Sequence, residues 1–222
     1  MRLFTLDRRL GAIAERIPLG ARLWDVGSDH ARLPVWLAAN DRIAHAVASD
    51  IGEMPLRSAT RNIERFGVGD IVETELCDGL PPSARDRADV FVIAGMGGGT
   101  IADILARAPW TQEEGTSLLL QPMSSPEDLR AFLLESRYTI TNETLLHADG
   151  RRYVLIEAVG GGAPQAFDRA DLAAGTFIRD REHIESAIKR LRNELCGADE
   201  RATVELNDSI GKLEGILDDK SC

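Results

Sequence analysis

Two β-like runs, YTITNETLLH (138–147) and RRYVLIEAV (151–159), are separated only by Ala-Asp-Gly. A link this tight leaves one pairing open, an antiparallel hairpin, because a parallel crossover needs about a dozen residues or more. Upstream the pattern differs. The runs ARLWDV (21–26), RIAHAVASD (42–50), DIVETELC (70–77), ADVFVIAG (88–95) and SLLLQP (117–122) alternate with helical patterns at 3–17, 31–39, 54–66, 99–107 and 126–135. Strands interleaved with helices predict a parallel α/β sheet. The chain therefore reads as seven strands, five joined by crossovers and two closed as a hairpin.

That is the layout of a Rossmann-like class I methyltransferase sheet. The stretch GGGAPQAF (160–167) then reads as a linker, or at least a sharp boundary. It divides the chain into residues 1–160 and 161–222, one full domain and a smaller appendage. Past the boundary the periodicity is wholly helical. Ile178, Ile184, Ile188, Leu191 and Leu195 fall near one face, with His183 less clearly among them. After CGADE, a second helix carries Val204, Leu206, Ile210, Leu213 and Leu217. Two helices with a short polar turn predict an antiparallel helical hairpin. A cap on the sheet and a partner-binding arm fit it equally well. Its nine basic and thirteen acidic residues make no obvious RNA clamp.

Composition narrows the function classes. No apolar run approaches the roughly eighteen residues of a membrane span, so no membrane partner is expected. The N-terminus alternates apolar and charged residues and reads as mature sequence. Cys77, Cys196 and Cys222 are widely spaced and odd in number, which fits a reduced, cytoplasmic protein. His45, His147 and His183 read as structural or exposed, and no His shares metal-ligand spacing with Cys or acids, so no metal is expected. The net charge of −10 argues against a nucleic-acid partner. Residues 1–22, however, hold five Arg against Asp7 and Glu15.

The strand ends carry the chemistry. The first strand stops at Val26, and Gly27 makes the turn where a side chain would block a ligand. Ser28 or Asp29 can cap the helix that follows. The second strand ends at Asp50, twenty-three residues after Gly27, the spacing at which an acid reaches a ribose. The third ends in Asp78-Gly79, whose carboxylate can accept from an adenine amine. The fourth ends in AGMGGG (94–99), a loop opening beside a ligand. In α/β sheets, ligands bind beyond these carboxyl ends. The first loop holds one glycine and an anion, Asp29, which repels pyrophosphate but suits a sulfonium. S-adenosylmethionine fits better than a dinucleotide.

With these motifs on the page, the chain resembles the bacterial tRNA (adenine(22)-N(1))-methyltransferases, the TrmK family. The matching segments are DVGSDHARLP (25–34), ASDIGEMPLRSATRNIERFG (48–67), CDGL (77–80), IAGMGGGTIADIL (93–105), LQPMSSPEDLRAFL (120–133) and RRYVLIEAV (151–159). They run in family order across about residues 8 to 160. The helical C-terminus matches by architecture more than by sequence. The resemblance implies that Gly27, Ser28, Asp29 and His30 line the methionine end of the cofactor. It places Asp50 and the adjoining Ile51 at the ribose, and Asp78, Gly79 and Leu80 at the adenine. Gly95, Met96 and Gly97 would border both cofactor and incoming base, with Gly97, Gly98 and Arg32 on the substrate side. Arg32 stands where the family usually has an aromatic residue, and Met123 where Asn is common. The guanidinium of Arg32 could replace the aromatic by stacking.

The implied reaction is methyl transfer to adenine N1 of tRNA, with Asp29 and His30 as the candidate catalytic residues. Either could accept a hydrogen bond from the adenine amine as positive charge develops on the ring. Adenine N1 brings its own lone pair and needs no enzyme nucleophile, and Cys77 sits off the fourth-strand loop, unlike a thiolate that adds to a pyrimidine. That loop also lacks the Asn-Pro-Pro-aromatic arrangement of exocyclic-amine methyltransferases. Two other readings stand beside this one: a methyltransferase of the same fold acting on a small molecule or protein, and a non-catalytic binding module.

Overall fold

The computed structural model describes residues 3–148 and 150–219. Its seven strands are β1 (Ala21–Val26), β2 (Ile43–Asp50), β3 (Val72–Leu76), β4 (Val90–Gly97), β5 (Ser117–Ser124), β6 (Tyr138–Ala148) and β7 (Arg151–Gly160). They form one sheet in the order β3-β2-β1-β4-β5-β7-β6. The first five run parallel, and β7 is antiparallel to both β5 and β6. The tight hairpin expected from the sequence is present, with Ala148 opposite Arg151; Asp149 of its turn and Cys222 lie outside the described residues.

Successive residues of the central strands feed opposite faces of the sheet, as a period of two requires. Trp24, Phe91, Ile93, Leu118 and Leu120 enter one core. Leu23, Val92 and Leu119 enter the other. Three helices cover the second face: α1 (Arg8–Arg16) with Ile13, α2 (Arg32–Ala39) with Leu37, and α3 (Glu53–Phe66) with Ile63. The first face is covered by α4 (Gly98–Ala106) through Ile101 and Leu105, and by α5 (Pro126–Glu135) through Leu129 and Leu133. With each fully buried Leu or Phe stabilising by about 1.5–3 kcal/mol, these two layers hold the strand ends in register.

The first helix begins later than its periodicity predicts. Residues 3–7 are not helical, because Asp7 caps the helix by accepting from the backbone N–H groups of Arg9 (3.0 Å) and Leu10 (2.9 Å). The helical region also differs from a simple hairpin. A short helix, α6 (Arg169–Ala174), precedes α7 (Arg181–Glu194) and α8 (Glu200–Asp218), and it starts on a reciprocal capping box between Asp168 and Asp171. The three share an apolar core of Ala170, Ala174, Ile184, Ile188, Leu191, Leu206, Ile210 and Leu213. Arg181 at the start of α7 donates to the Leu217 carbonyl near the end of α8, as antiparallel helices require. Val204, expected on the packed face, is exposed instead.

The helical region is fastened to the sheet. Ile178, just before α7, packs into the sheet core. Arg130 of α5 and Glu143 of β6 form a fully buried ion pair at 2.6 Å. Arg130 also donates to the Leu172 carbonyl at 2.8 Å, and Glu143 accepts from the Thr176 N–H at 2.8 Å. The Gly160–Gly162 stretch is a close passage rather than slack chain. A Cβ on Gly160 would lie 2.3 Å from the Glu113 carbonyl oxygen, and one on Gly162 would lie 2.8 Å from the carbonyl carbon of Tyr138.

Candidate active site

The carboxyl ends of β3, β2, β1 and β4 lie side by side, and the chain reverses its progression between β1 and β4. Ligands of open α/β sheets bind at such a switch point. Gly27 leaves β1 with φ +68°, and a Cβ there would sit 2.2 Å from the Met96 Cε of β4. Two expected site residues are thereby close neighbours; the Met96 methyl can swing aside, and it is the positive φ that calls for glycine here. Ser28 does not cap a helix. Its backbone N–H donates to the Ser49 carbonyl at 2.9 Å, and its hydroxyl is hydrogen-bonded to the Asp25 carboxyl beneath the loop. The loop turns through Asp29–Ala31, and α2 then starts behind Ala31 without a side-chain cap.

His30 and Ala31 both hold left-handed backbone, φ 63° and 48°. Of the four non-glycine residues with positive φ among the described residues, three (His30, Ala31 and Ser125) sit in loops at this edge. Such strain persists where surrounding structure imposes it. Here Asn62 of α3 supplies part of that constraint, its side-chain amide donating to the His30 carbonyl at 2.9 Å. The two candidate catalytic side chains are exposed and face each other, His30 Nε2 lying 3.3 Å from Asp29 Oδ1.

On β2, Asp50 Oδ1 accepts from the Gly52 N–H at 2.8 Å, which fixes the carboxylate at the strand end. Ile51 beside it is 73% exposed, an apolar surface that a purine or sugar can cover. Beyond β3, Asp78 is not free. Arg107, following α4, grips its carboxylate at 2.5 and 3.1 Å, and those hydrogen bonds hold the Asp78 carboxyl below the usual range. Gly79 turns with φ +73°, and Leu80 drops its side chain into the sheet core. Burial pushes the neighbouring Cys77 thiol up, opposite to what an attacking thiolate needs.

The fourth-strand loop lies against β5. Gly97 pairs with Ser124 in the ladder, and a Cβ on Gly98 would stand 2.0 Å from the Ser125 carbonyl oxygen. In front of Gly95 the space is open. Arg32, expected to stack on a substrate base, lies 5.4 Å from the centre of the Phe4 ring and donates to the Thr5 carbonyl at 3.2 Å. The N-terminal segment engages it.

Sequence reasoning missed the layer beneath the loop. Asp25 is buried inside β1, and burial pushes its carboxyl up to about 7 against the opposing bond from Ser28. Ser49 completes this layer, its hydroxyl accepting from Trp24 Nε1 at 2.9 Å and donating to the Asp25 carbonyl at 3.3 Å. An acid in the middle of the apolar run LWDV was the available signal, since a buried polar group is the informative exception.

Three carboxylates thus line one edge, Asp29, Asp50 and Asp78, and Arg107 there is paired to Asp78. Such an edge disfavours phosphates and suits a nucleoside attached to a cationic sulfur. Among the described residues, no group of three or more His, Cys, Asp or Glu side chains is placed to hold a metal ion, and no helix is long and apolar enough to cross a membrane.

Comparison with known proteins agrees with this geometry. Residues 6–156 match the methyltransferase domain family. The tRNA (adenine(22)-N(1))-methyltransferase of Bacillus subtilis (strain 168) is 36% identical over 173 residues, spanning 78% of this chain and 73% of that protein. The crystal structure of the B. subtilis m1A22 tRNA methyltransferase TrmK superposes with a TM-score of 0.82 at 28% identity, covering 98% of this chain and all of that one. A Streptococcus pneumoniae protein crystallised in complex with S-adenosyl-L-methionine superposes with a TM-score of 0.78 at 30% identity, over 96% of this chain and 100% of its own.

Proposed function

The chain belongs to the tRNA (adenine(22)-N(1))-methyltransferase family, and from that membership we propose that it methylates adenine N1 at position 22 of tRNA with S-adenosylmethionine. The observation that carries the reading is the edge of glycines and carboxylates at the β1/β4 switch point, on a sheet shared with relatives of that activity. A cytoplasmic setting follows from the reaction class and the tRNA substrate. The proposed division into a methyltransferase unit (1–160) and a helical unit (161–222) is supported by the separate apolar core of α6–α8.

Held by Gly27–His30, Asp50 and Asp78–Leu80, S-adenosylmethionine would supply a methyl carbon activated by its sulfonium, the adenine N1 lone pair forming the N–C bond as the S–C bond breaks and the thioether S-adenosylhomocysteine leaves. The protein's part is orientation and electrostatics. Gly27, Ser28, Asp29 and His30 form the wall assigned to the amino-acid end. Asp50, its carboxylate fixed by Gly52, takes the ribose hydroxyls, with Ile51 beside it. Asp78, Gly79 and Leu80 border the adenine, Asp78 acting from its pair with Arg107. Gly95, Met96 and Gly97 separate cofactor from base, with Gly97 and Gly98 assigned to the substrate side, where Gly98 lets the loop close against the Ser125 backbone. Since a paired N1 is blocked, the nucleotide enters unpaired or extruded. Asp29 or His30 then accepts from the adenine amine and offsets the charge that grows on the ring. Arg32, held by Phe4 and Thr5, is assigned to the rim of the substrate opening.

The test is methyl transfer from labelled S-adenosylmethionine to unmodified tRNA, followed by nucleoside analysis. Label in 1-methyladenosine that vanishes when adenine 22 is replaced supports the reading. Absence of label in tRNA, with the cofactor still bound, moves the substrate to a small molecule or protein. For the site, Asp29→Asn is expected to lose about 10²-fold in kcat at saturating cofactor, the typical effect of removing one group that stabilises developing charge. Full turnover in that variant sinks the role given to Asp29.

A further inference from the structure

A cleft of about 530 Å³ opens between the β6–β7 turn and α7. Its lining takes Arg151 and Arg152 from β7, Ser186 and Arg190 from α7, and Met123 and Ser125 from the end of β5 and the residue after it. The Ser125 part of the lining abuts the candidate active site, because Gly97 pairs with Ser124 and Gly98 rests against Ser125. The cleft therefore leads outward from the place where the target base must sit.

Its charge is opposite to that of the whole molecule. The protein carries −10, yet among the described residues the cleft lining holds three arginines and one carboxylate, Glu127. His183 in the same lining adds no charge at neutral pH, since burial holds it down at about 4. Among the described residues, these arginines make no close ion pair. Arg190 donates to an uncharged acceptor, the Ala173 carbonyl, at 2.7 Å, and Arg152 lies 3.9 Å from the exposed Glu182. On the α1 side, Arg8 adds a cation, donating to the His147 carbonyl, while Arg9, 5.3 Å from the centre of the Tyr153 ring, is paired with Asp7 at 3.3 Å.

We propose that this cleft is the track for the sugar–phosphate backbone flanking the target adenosine. Guanidinium groups match phosphate by planar, two-pronged hydrogen bonding. A base drawn from its stack needs its neighbouring phosphates held, and a cationic track beginning at Ser125 does this within reach of the glycine loop. An acidic protein thus docks RNA by concentrating its cations on one face while its carboxylates hold the cofactor edge. The proposal rests on the tRNA reading above and extends it to a specific surface.

The experiment compares wild type, Arg152→Ala, Arg190→Gln and the double variant on unmodified tRNA across a salt series. Lys189→Ala serves as the control, losing the same charge from the same helix but on the face directed toward Glu214. Direct binding of S-adenosylmethionine to each variant reports that it is folded. The double variant is expected to raise KM for tRNA by about tenfold or more with kcat little changed. The slope of log affinity against log salt should fall by about 0.7–0.9 for each phosphate that the variant no longer neutralises. Arg190→Lys, which keeps the charge, should retain the wild-type slope. Unchanged KM and salt slope in a double variant that still binds cofactor would place the RNA elsewhere and overturn the proposal. If wild type itself labels no tRNA, the substrate reading fails first, and the track falls with it.

Discussion

A single methyl group tests the closeness of the glycine loop to its neighbours. Gly98→Ala would set its Cβ 2.0 Å from the Ser125 carbonyl oxygen, which is backbone and cannot swing away. The loop or the start of α5 must shift. A displacement of about 1 Å at a reacting centre costs about 10²-fold in rate. Gly98→Ala is therefore expected to lower kcat by about that factor while far-ultraviolet circular dichroism stays unchanged; Gly99→Ala, with open space around it, serves as the neutral comparison. At this scale the sequence disclosed positions better than partners. Gly27, Asp50, Asp78 and Gly95–Gly98 all occupy the edge expected of them, because the end of a strand is written in local hydrophobicity and turn residues. That Arg107 reaches Asp78, that Phe4 holds Arg32 and that Ser28 turns down to Asp25 depend on contacts between residues distant in sequence or on loop geometry. No short window encodes such contacts.

Between elements, the buried pair of Arg130 and Glu143 is the main polar fastening of the helices to the sheet. It joins α5 and β6 to α6 through the Leu172 carbonyl and to the segment after α6 through the Thr176 N–H. Removing one partner leaves an uncompensated buried charge, a loss of about 3–5 kcal/mol, whereas replacing both by apolar residues is often neutral. Glu143→Leu alone should thus lower stability by about that amount in chemical denaturation. The double variant Arg130→Met with Glu143→Leu should recover most of it. Equal losses in the single and double variants would show that the pair is not the fastening. The strand runs, the hairpin and the two long C-terminal helices were all legible from periodicity. Helix α6 was not, since six residues give too few turns for a period to show. Nor was the pin itself, because an arginine in a helix and a glutamate in a strand read by default as solvated.

Over the whole molecule, two buried titrating groups give opposite pH dependences. Asp25, raised to about 7, stays protonated in the folded state while its unfolded counterpart ionises near 3.8, so its contribution to stability declines as pH rises from about 4 to 7. His183, lowered to about 4, stays neutral while its unfolded counterpart protonates near 6.5, so its contribution declines as pH falls across that window. The Asp25 effect is at most about 4 kcal/mol. Thermal unfolding between pH 4.5 and 7 should show Asp25→Asn gaining Tm relative to wild type as pH rises, and His183→Gln gaining as pH falls. Parallel curves for all three would refute the assignment. The strand order carries a different implication, for synthesis. Because β7 lies between β5 and β6, β6 has no sheet neighbour until residues 151–160 have been made. On the ribosome, the nascent methyltransferase fold waits with β5 uncovered and β6 detached, then closes when its last strand inserts. The stage at which a chaperone has most to protect is therefore the emergence of that strand.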